Sequence, residues 1–117
     1  MKKITLIILL LILIPTIYAK EGSMKLLAVS ENNNKSGSIA NLHLEITEGD
    51  GRVFIDSFPL TKVDTQISTR FAKEIACHLS IVDCSNYNFF YNIRANSPIV
   101  GGPSAGAAIS ILTLSVL

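Results

Sequence analysis

Apolar and polar side chains alternate strictly between Ala40 and Ile46, with Ala40, Leu42, Leu44 and Ile46 set against Asn41, His43 and Glu45. A period of two predicts a strand with one face buried, and it places His43 on the polar face as a solvent-facing residue rather than a ligand. Glu48-Gly49-Asp50-Gly51 reads as a turn and Arg52–Ser57 as a returning strand, so Ala40–Ser57 is expected to form a hairpin. Asn88–Ala95 repeats the alternation, with Phe89, Tyr91 and Ile93 on one face. Met24–Ser30 reads as a further strand, followed by a polar loop over Glu31–Ser38. Between these strands the period changes. Ile67, Phe71, Ile75 and Leu79 recur every four residues, which predicts a helix from an Asp64 N-cap to about Leu79 with that stripe as its apolar face. Gln66, Arg70, Lys73 and Glu74 take the other faces, and Lys73 is expected at the surface, in water.

Two blocks follow no amphipathic pattern. At the start, Lys2 and Lys3 precede an apolar run over Ile4–Ile14, then Pro15 and a small residue, Ala19. A positive, then hydrophobic, then small-residue order is that of a secretory signal, and the run is shorter than the roughly 20 residues a membrane span needs. Residues 1–19 are therefore expected to be a signal peptide or, if uncleaved, a membrane anchor. At the other end, Ser104–Leu117 holds only Ser110, Thr113 and Ser115 as polar residues after Ser104. A helix apolar all round must be buried all round, yet at about 1.5 Å per residue it is too short to cross a bilayer. It is expected to be a central helix, covered on one side by the preceding elements and needing further cover on the other.

Composition narrows the picture. Of 117 residues 49% are hydrophobic and 16% charged, so the chain is apolar for one soluble domain, and its excess lies in the two end blocks. A net charge of +1, with basic residues scattered singly, argues against nucleic-acid binding. Cys77 falls on the predicted helix and Cys84 just past its end. They read as two small buried thiols, or as a disulfide if the mature chain lies outside the cytoplasm. A metal site with His78 lacks paired cysteine spacing and a fourth ligand.

The loop Ser97–Pro103 opens into the last helix at Gly102-Pro103-Ser104-Ala105-Gly106. A serine in the first turn of a helix has unbonded N–H groups and the positive end of the dipole beside it, which can stabilise an oxyanion, and small neighbours admit a substrate backbone. The same serine could instead be a simple N-cap. An α/β-hydrolase elbow is excluded by chain order, because no Asp, Glu or His follows Ser104 and both histidines, His43 and His78, precede it. A phosphate-binding P-loop is excluded because no Gly-Lys-Ser/Thr follows the glycines.

Gly102–Gly106 resembles the nucleophile motif of the Lon protease proteolytic domain. Gly51–Thr61, Asp64-Thr65-Gln66 and Asn96–Ser104 resemble more closely the archaeal Lon-like serine proteases that carry a signal or membrane segment and no ATPase. The resemblance covers Gly37 to Leu117. It implies an α+β fold, a small mixed sheet with packed helices. Residues 24–117 would form the N-terminal half of a Lon-type domain, after the signal or anchor at 1–19. It also implies a Ser–Lys dyad with Ser104 as nucleophile, a loop of Gly102, Pro103, Ala105 and Gly106, and the N–H groups of Ser104 and Ala105 as oxyanion donors. The family's lysine lies beyond Leu117, and none of Lys20, Lys25, Lys35, Lys62 and Lys73 occupies its place. The better-known Lon enzymes carry an aspartate where this chain has Gly101, so the role of that carboxylate is absent. The expectation is an ATP-independent serine endopeptidase without cofactor or metal, membrane-anchored or secreted. It would act on peptides or proteins, take its lysine from a separate C-terminal half, and assemble as a homo-oligomeric ring. The alternative is an inactive, envelope-associated relative that binds partners.

Overall fold

The protein is described here by a computed structural model that covers residues 19–28 and 37–117, with the backbone alone for residues 97–100. Strand β1 (Lys20–Ala28) pairs antiparallel with β2 (Ser38–Glu48). Strand β3 (Val53–Thr61) pairs with β4 (Tyr87–Val100) in parallel, and β4 pairs antiparallel with β2, so the sheet order is β1-β2-β4-β3. Parallel neighbours need a crossover, which helix α1 (Val63–Leu79) supplies between β3 and β4. Helix α2 (Gly106–Val116) follows β4. The fold is α+β, a mixed four-stranded sheet with two helices. The signal or anchor expected over residues 1–19 lies, except for Ala19, outside the described residues. Among those described, no helix is long and apolar enough to cross a membrane.

The alternation in the sequence is met on the inner face of the sheet. Leu42, Leu44 and Ile46 of β2 and Phe89, Tyr91 and Ile93 of β4 are buried, together with Ile109 and Leu112 of α2. Tyr91 ties the sheet to α2 through polar atoms as well. Its hydroxyl lies 2.7 Å from Thr113 Oγ1, and because Thr113 donates to the Ile109 carbonyl at 2.7 Å, Tyr91 donates to Thr113. Burial pushes the Tyr91 phenol up to about 12, the nearby Glu74 charge adds to the rise, and the Thr113 bond opposes it, so Tyr91 is a neutral post rather than an acid. At Gly22 α2 approaches closely, and a Cβ there would lie 2.6 Å from Val116 Cγ2, so that side chain would have to shift to admit one.

The expected hairpin over Ala40–Ser57 does not form, because β4 lies between the two strands. The Glu48–Gly51 turn folds onto the start of β4 instead of closing on itself. Gly49 and Gly51 donate to the carbonyls of Asn86 and Tyr87, and the Asn88 side chain accepts from the Asp50 and Arg52 N–H groups. The strand read as Met24–Ser30 begins earlier, at Lys20, and the described strand ends at Ala28. The strand read as Asn88–Ala95 runs on to Val100, because Ile99 and Val100 pair with Leu60 and Thr61, so the glycine-rich loop shrinks to Gly101-Gly102.

Helix α1 also packs the other way round from the reading of its apolar stripe. Ile67, Phe71, Ile75 and Leu79 are exposed, Phe71 by 65%, while Thr65, Thr69, Ala72, Lys73 and Ala76 are buried. The buried side is narrow, which lets α1 lie close to α2: Ser110 Oγ donates to the Ala72 carbonyl at 3.2 Å. Its hydroxyls are satisfied within the helix, Thr69 and Ser68 donating to the Thr65 carbonyl, so their burial leaves no polar atom unpaired. Lys73 is not the surface residue expected. Its side chain is 8% exposed, with Nζ 5.3 Å from the centre of the Phe89 ring and 3.0 Å from the exposed Glu74 carboxylate. The ammonium thus lies over the ring face and also meets an exposed carboxylate. Asp64 is not the N-cap either. That position is Lys62, and Asp64 sits in the first turn.

Cys77 and Cys84 are joined in a disulfide with Cα atoms 5.9 Å apart, which sets aside the reading as two thiols. The bridge fastens the end of α1 to the 3-10 turn Cys84–Asn86 that leads into β4. Closing a loop of about eight residues restricts the unfolded chain by roughly 2–3 kcal/mol. Cys77→Ser/Cys84→Ser is expected to lose that much in urea denaturation. Reductant should lower the wild-type midpoint and leave the double variant unchanged; equal sensitivity of both proteins to reductant would contradict this.

Candidate functional site

Ser104 lies in a 3-10 turn, Pro103–Ala105, directly before α2, and its side chain is exposed. Gly102 caps that turn and Ala105 precedes the helix, both without a side-chain capping bond. The serine is thus not the N-cap that the sequence also allowed. Its hydroxyl stands at the start of a helix with no hydrogen bond to it among the described residues.

The loop that carries Ser104 is held from the first turn of α1. Asp64 Oδ1 accepts the Thr65 N–H at 2.7 Å and the Gly102 N–H at 3.2 Å. Thr65, itself buried, places its hydroxyl 3.4 Å from the Gly102 carbonyl. Gly102 adopts φ +110°, a conformation that side chains disfavour, so glycine is required there. The Gly102 N–H is the main reason the Asp64 carboxyl lies below its ordinary range, with the Thr65 bonds and Lys62 adding to it. A carboxyl lowered on folding stabilises the fold at neutral pH, and that contribution is lost as pH falls through the lowered value. Pro103 and Gly106 follow Gly102 into the helix, Gly106 facing Ser68 of α1, and Ala105 lies half-buried between them.

Beyond Pro103 an open apolar groove of about 680 Å³ runs between the two helices. Ile67, Phe71 and Ile75 form one wall, Ala107 and Ile111 the other, and Asp64 lies at the end nearest Pro103. Ile111 is 64% exposed, so the expectation that α2 is covered on one side only is met.

Two described lysines belong to α1, Lys62 at its N-cap and Lys73 within it. Lys73 is held over Phe89 with Glu74. Lys62 runs its stem along Gly101, where an added Cβ would collide with its Cδ. A lysine acts as a base when desolvation or a neighbouring cation keeps it neutral. Among the described residues no group of three or more His, Cys, Asp or Glu side chains could hold a metal ion.

The sequence reading placed Ser104 and its glycines correctly at a helix start, and it missed the hold of Asp64 and Thr65 on Gly102. The Asp-Thr pair carried a helix-start signal only. Its contact with a loop 38 residues away depends on α1 lying beside α2, which no local pattern encodes.

No family model matches the chain, and no curated protein matches it. Among solved structures it is similar to a protein of Thermus thermophilus, at 11% sequence identity and a TM-score of 0.46. The match covers 88% of this chain and 17% of that one.

Proposed function

We propose that this chain is the nucleophile-bearing part of a Lon-like serine endopeptidase, cleaving peptide bonds through Ser104 with a lysine base supplied from outside these 117 residues. One observation carries the reading. Ser104 is exposed at the start of α2, free of any capping role, on a loop held by Asp64 and Thr65. In the reaction, a neutral lysine takes the Ser104 proton as Oγ bonds the scissile carbonyl carbon. The amine then leaves with a proton, and water releases the acyl group and restores the serine. The N–H groups of Ser104 and Ala105, at the start of the helix, serve the oxyanion. The substrate is a peptide or protein, reached by a chain that is exported or membrane-anchored through residues 1–19. The Cys77–Cys84 bridge favours such an oxidising compartment. The open face of α1 and α2 suits the lysine-bearing partner, and a completed domain would assemble as a ring.

The same face also favours a second reading, an envelope protein that binds partners without catalysis. The two are separated by probing the chain alone, and together with a lysine-bearing C-terminal half, with a serine-directed fluorophosphonate and a peptide substrate. Ser104-dependent labelling in the combined sample only is expected, with the chain alone slower by a factor of about 10⁴ or more. Labelling in neither sample would favour the binding role. Ser104-dependent cleavage of casein by the 117-residue chain itself would refute an external base.

A further inference from the structure

We infer that Asp64 is the positioning residue of the Ser104 loop: its carboxylate, by accepting the Gly102 N–H, fixes the backbone from which the nucleophile is presented. The role rests on the peptidase reading above.

The chain chemistry around the serine leaves few places from which the loop can be held. Pro103 has no N–H to donate, and its ring fixes φ near about −65°. The N–H groups at the head of a helix have no intrahelical acceptor, and a nucleophile needs them turned toward the substrate oxygen. The last N–H before Ser104 that can anchor the loop is therefore that of Gly102. It is donated to Asp64 Oδ1 at 3.2 Å, while the Gly102 carbonyl faces the Thr65 hydroxyl at 3.4 Å. Both polar groups of one peptide residue thus meet two consecutive residues of another element. Between this clamp and Ser104 stands only proline, whose φ is not free to turn.

The anchor is itself well founded. Asp64 Oδ1 also accepts the N–H of Thr65 at 2.7 Å, so its rotamer is set within its own turn. Thr65 is buried, and its carbonyl takes the hydroxyls of Ser68 and Thr69. The rigid side of α1 that packs against α2 is therefore the side that holds the loop. Two consequences follow for the chemistry. The Gly102 N–H is engaged and is not an oxyanion donor, which leaves the N–H groups of Ser104 and Ala105. Gly102 at φ +110° is kept in a conformation that an untethered loop would leave.

The test compares Asp64→Ala with Asp64→Asn, which keeps an oxygen acceptor at the same place. Amide exchange at Gly102 is read by NMR on the full chain. The rate of Ser104 labelling and the kcat/KM split are read on the chain with its lysine-bearing half, and circular dichroism checks folding. In Asp64→Ala, Gly102 exchange is expected to rise about tenfold, the lower end for a bond to a charged acceptor. Labelling and kcat should fall by a similar factor while KM holds. Asp64→Asn should restore both to within about threefold of wild type, as expected for a retained acceptor. This variant decides the matter if Asp64→Ala does not fold, because Gly102 exchange and labelling that are both normal or both impaired support the clamp, and a change in either without the other overturns it. Unchanged Gly102 exchange in a folded Asp64→Ala overturns the clamp, and raised exchange with undiminished labelling overturns its role in presenting Ser104. A wild-type sample that never labels removes the peptidase reading and this role with it, whereas a wild type that labels as fast as Asp64→Ala removes this role alone.

Discussion

Ser104→Ala is expected to abolish fluorophosphonate labelling and to lower peptide hydrolysis by the completed enzyme about 10⁴-fold or more, with folding stability changed by less than roughly 0.5 kcal/mol. The two halves of that expectation come from the same geometry. A serine that caps a helix contributes about 0.5–2 kcal/mol through its hydroxyl, and replacement by alanine removes it. Ser104 has no such bond, since the 3-10 turn and the helix after it both begin without a side-chain cap. Its side chain is exposed, so truncation opens no cavity. Everything the hydroxyl does is then available to a substrate. Urea denaturation and a peptide assay on the same preparations check it. A stability loss near the roughly 1 kcal/mol of a typical cap, with hydrolysis intact, would make Ser104 a structural residue and end the nucleophile assignment.

Phe89→Ala is expected to cost about 3–5 kcal/mol, a large share of the roughly 5–15 kcal/mol that holds such a domain together. Phe89 is fully buried at the start of the central strand, paired with Ile46 on one side and Val53 on the other, and its N–H is bonded to the Arg52 carbonyl at 2.9 Å. Truncation empties the space below α1 and takes away the ring against which the Lys73 ammonium rests. The neighbouring residue provides the control. Phe90 points to the opposite face, where it stacks on Phe54 with ring centres 4.6 Å apart and stays partly exposed. Phe90→Ala should cost about 1 kcal/mol, the value of such a pair. Chemical denaturation of both variants decides between them, and equal losses would mean that the two faces of the sheet are wrongly assigned.

That contrast also marks where the sequence is readable. The alternation of Leu42, Leu44 and Ile46, and of Phe89, Tyr91 and Ile93, told inside from outside because a strand has only two faces and one of them was apolar. The order of strands was not readable in the same way. Gly49 and Gly51 look like a hairpin turn locally, yet the turn's N–H groups find their acceptors on residues 86–88, which become neighbours only after α1 has crossed over. The helix misled for another reason. Apolar periodicity identifies a stripe but not what lies against it, and here the small residues Thr65, Thr69, Ala72 and Ala76 are buried while the large ones stay outside. Lys73 was placed in water because it lies off the apolar stripe, whereas its ammonium is accommodated both over the Phe89 ring and by the exposed Glu74 carboxylate. At the site, the position of Ser104 at a helix start was readable because glycine, proline and serine punctuate the chain locally. The hold of Asp64 on Gly102 was not, because it is a meeting of two distant turns.

The insertion of β4 between β2 and β3 sets the order in which the chain can fold as it emerges. Strands β1 and β2 are neighbours in sequence and can close at once, but β2 and β3 each wait for a partner that appears only after the whole of α1. Until then both offer unpaired edges with apolar faces, the state most exposed to wrong association. Long-range pairing of this kind slows folding relative to a plain meander of the same length. The sheet is thus completed late, when Tyr87–Val100 has arrived to seat itself between two waiting strands.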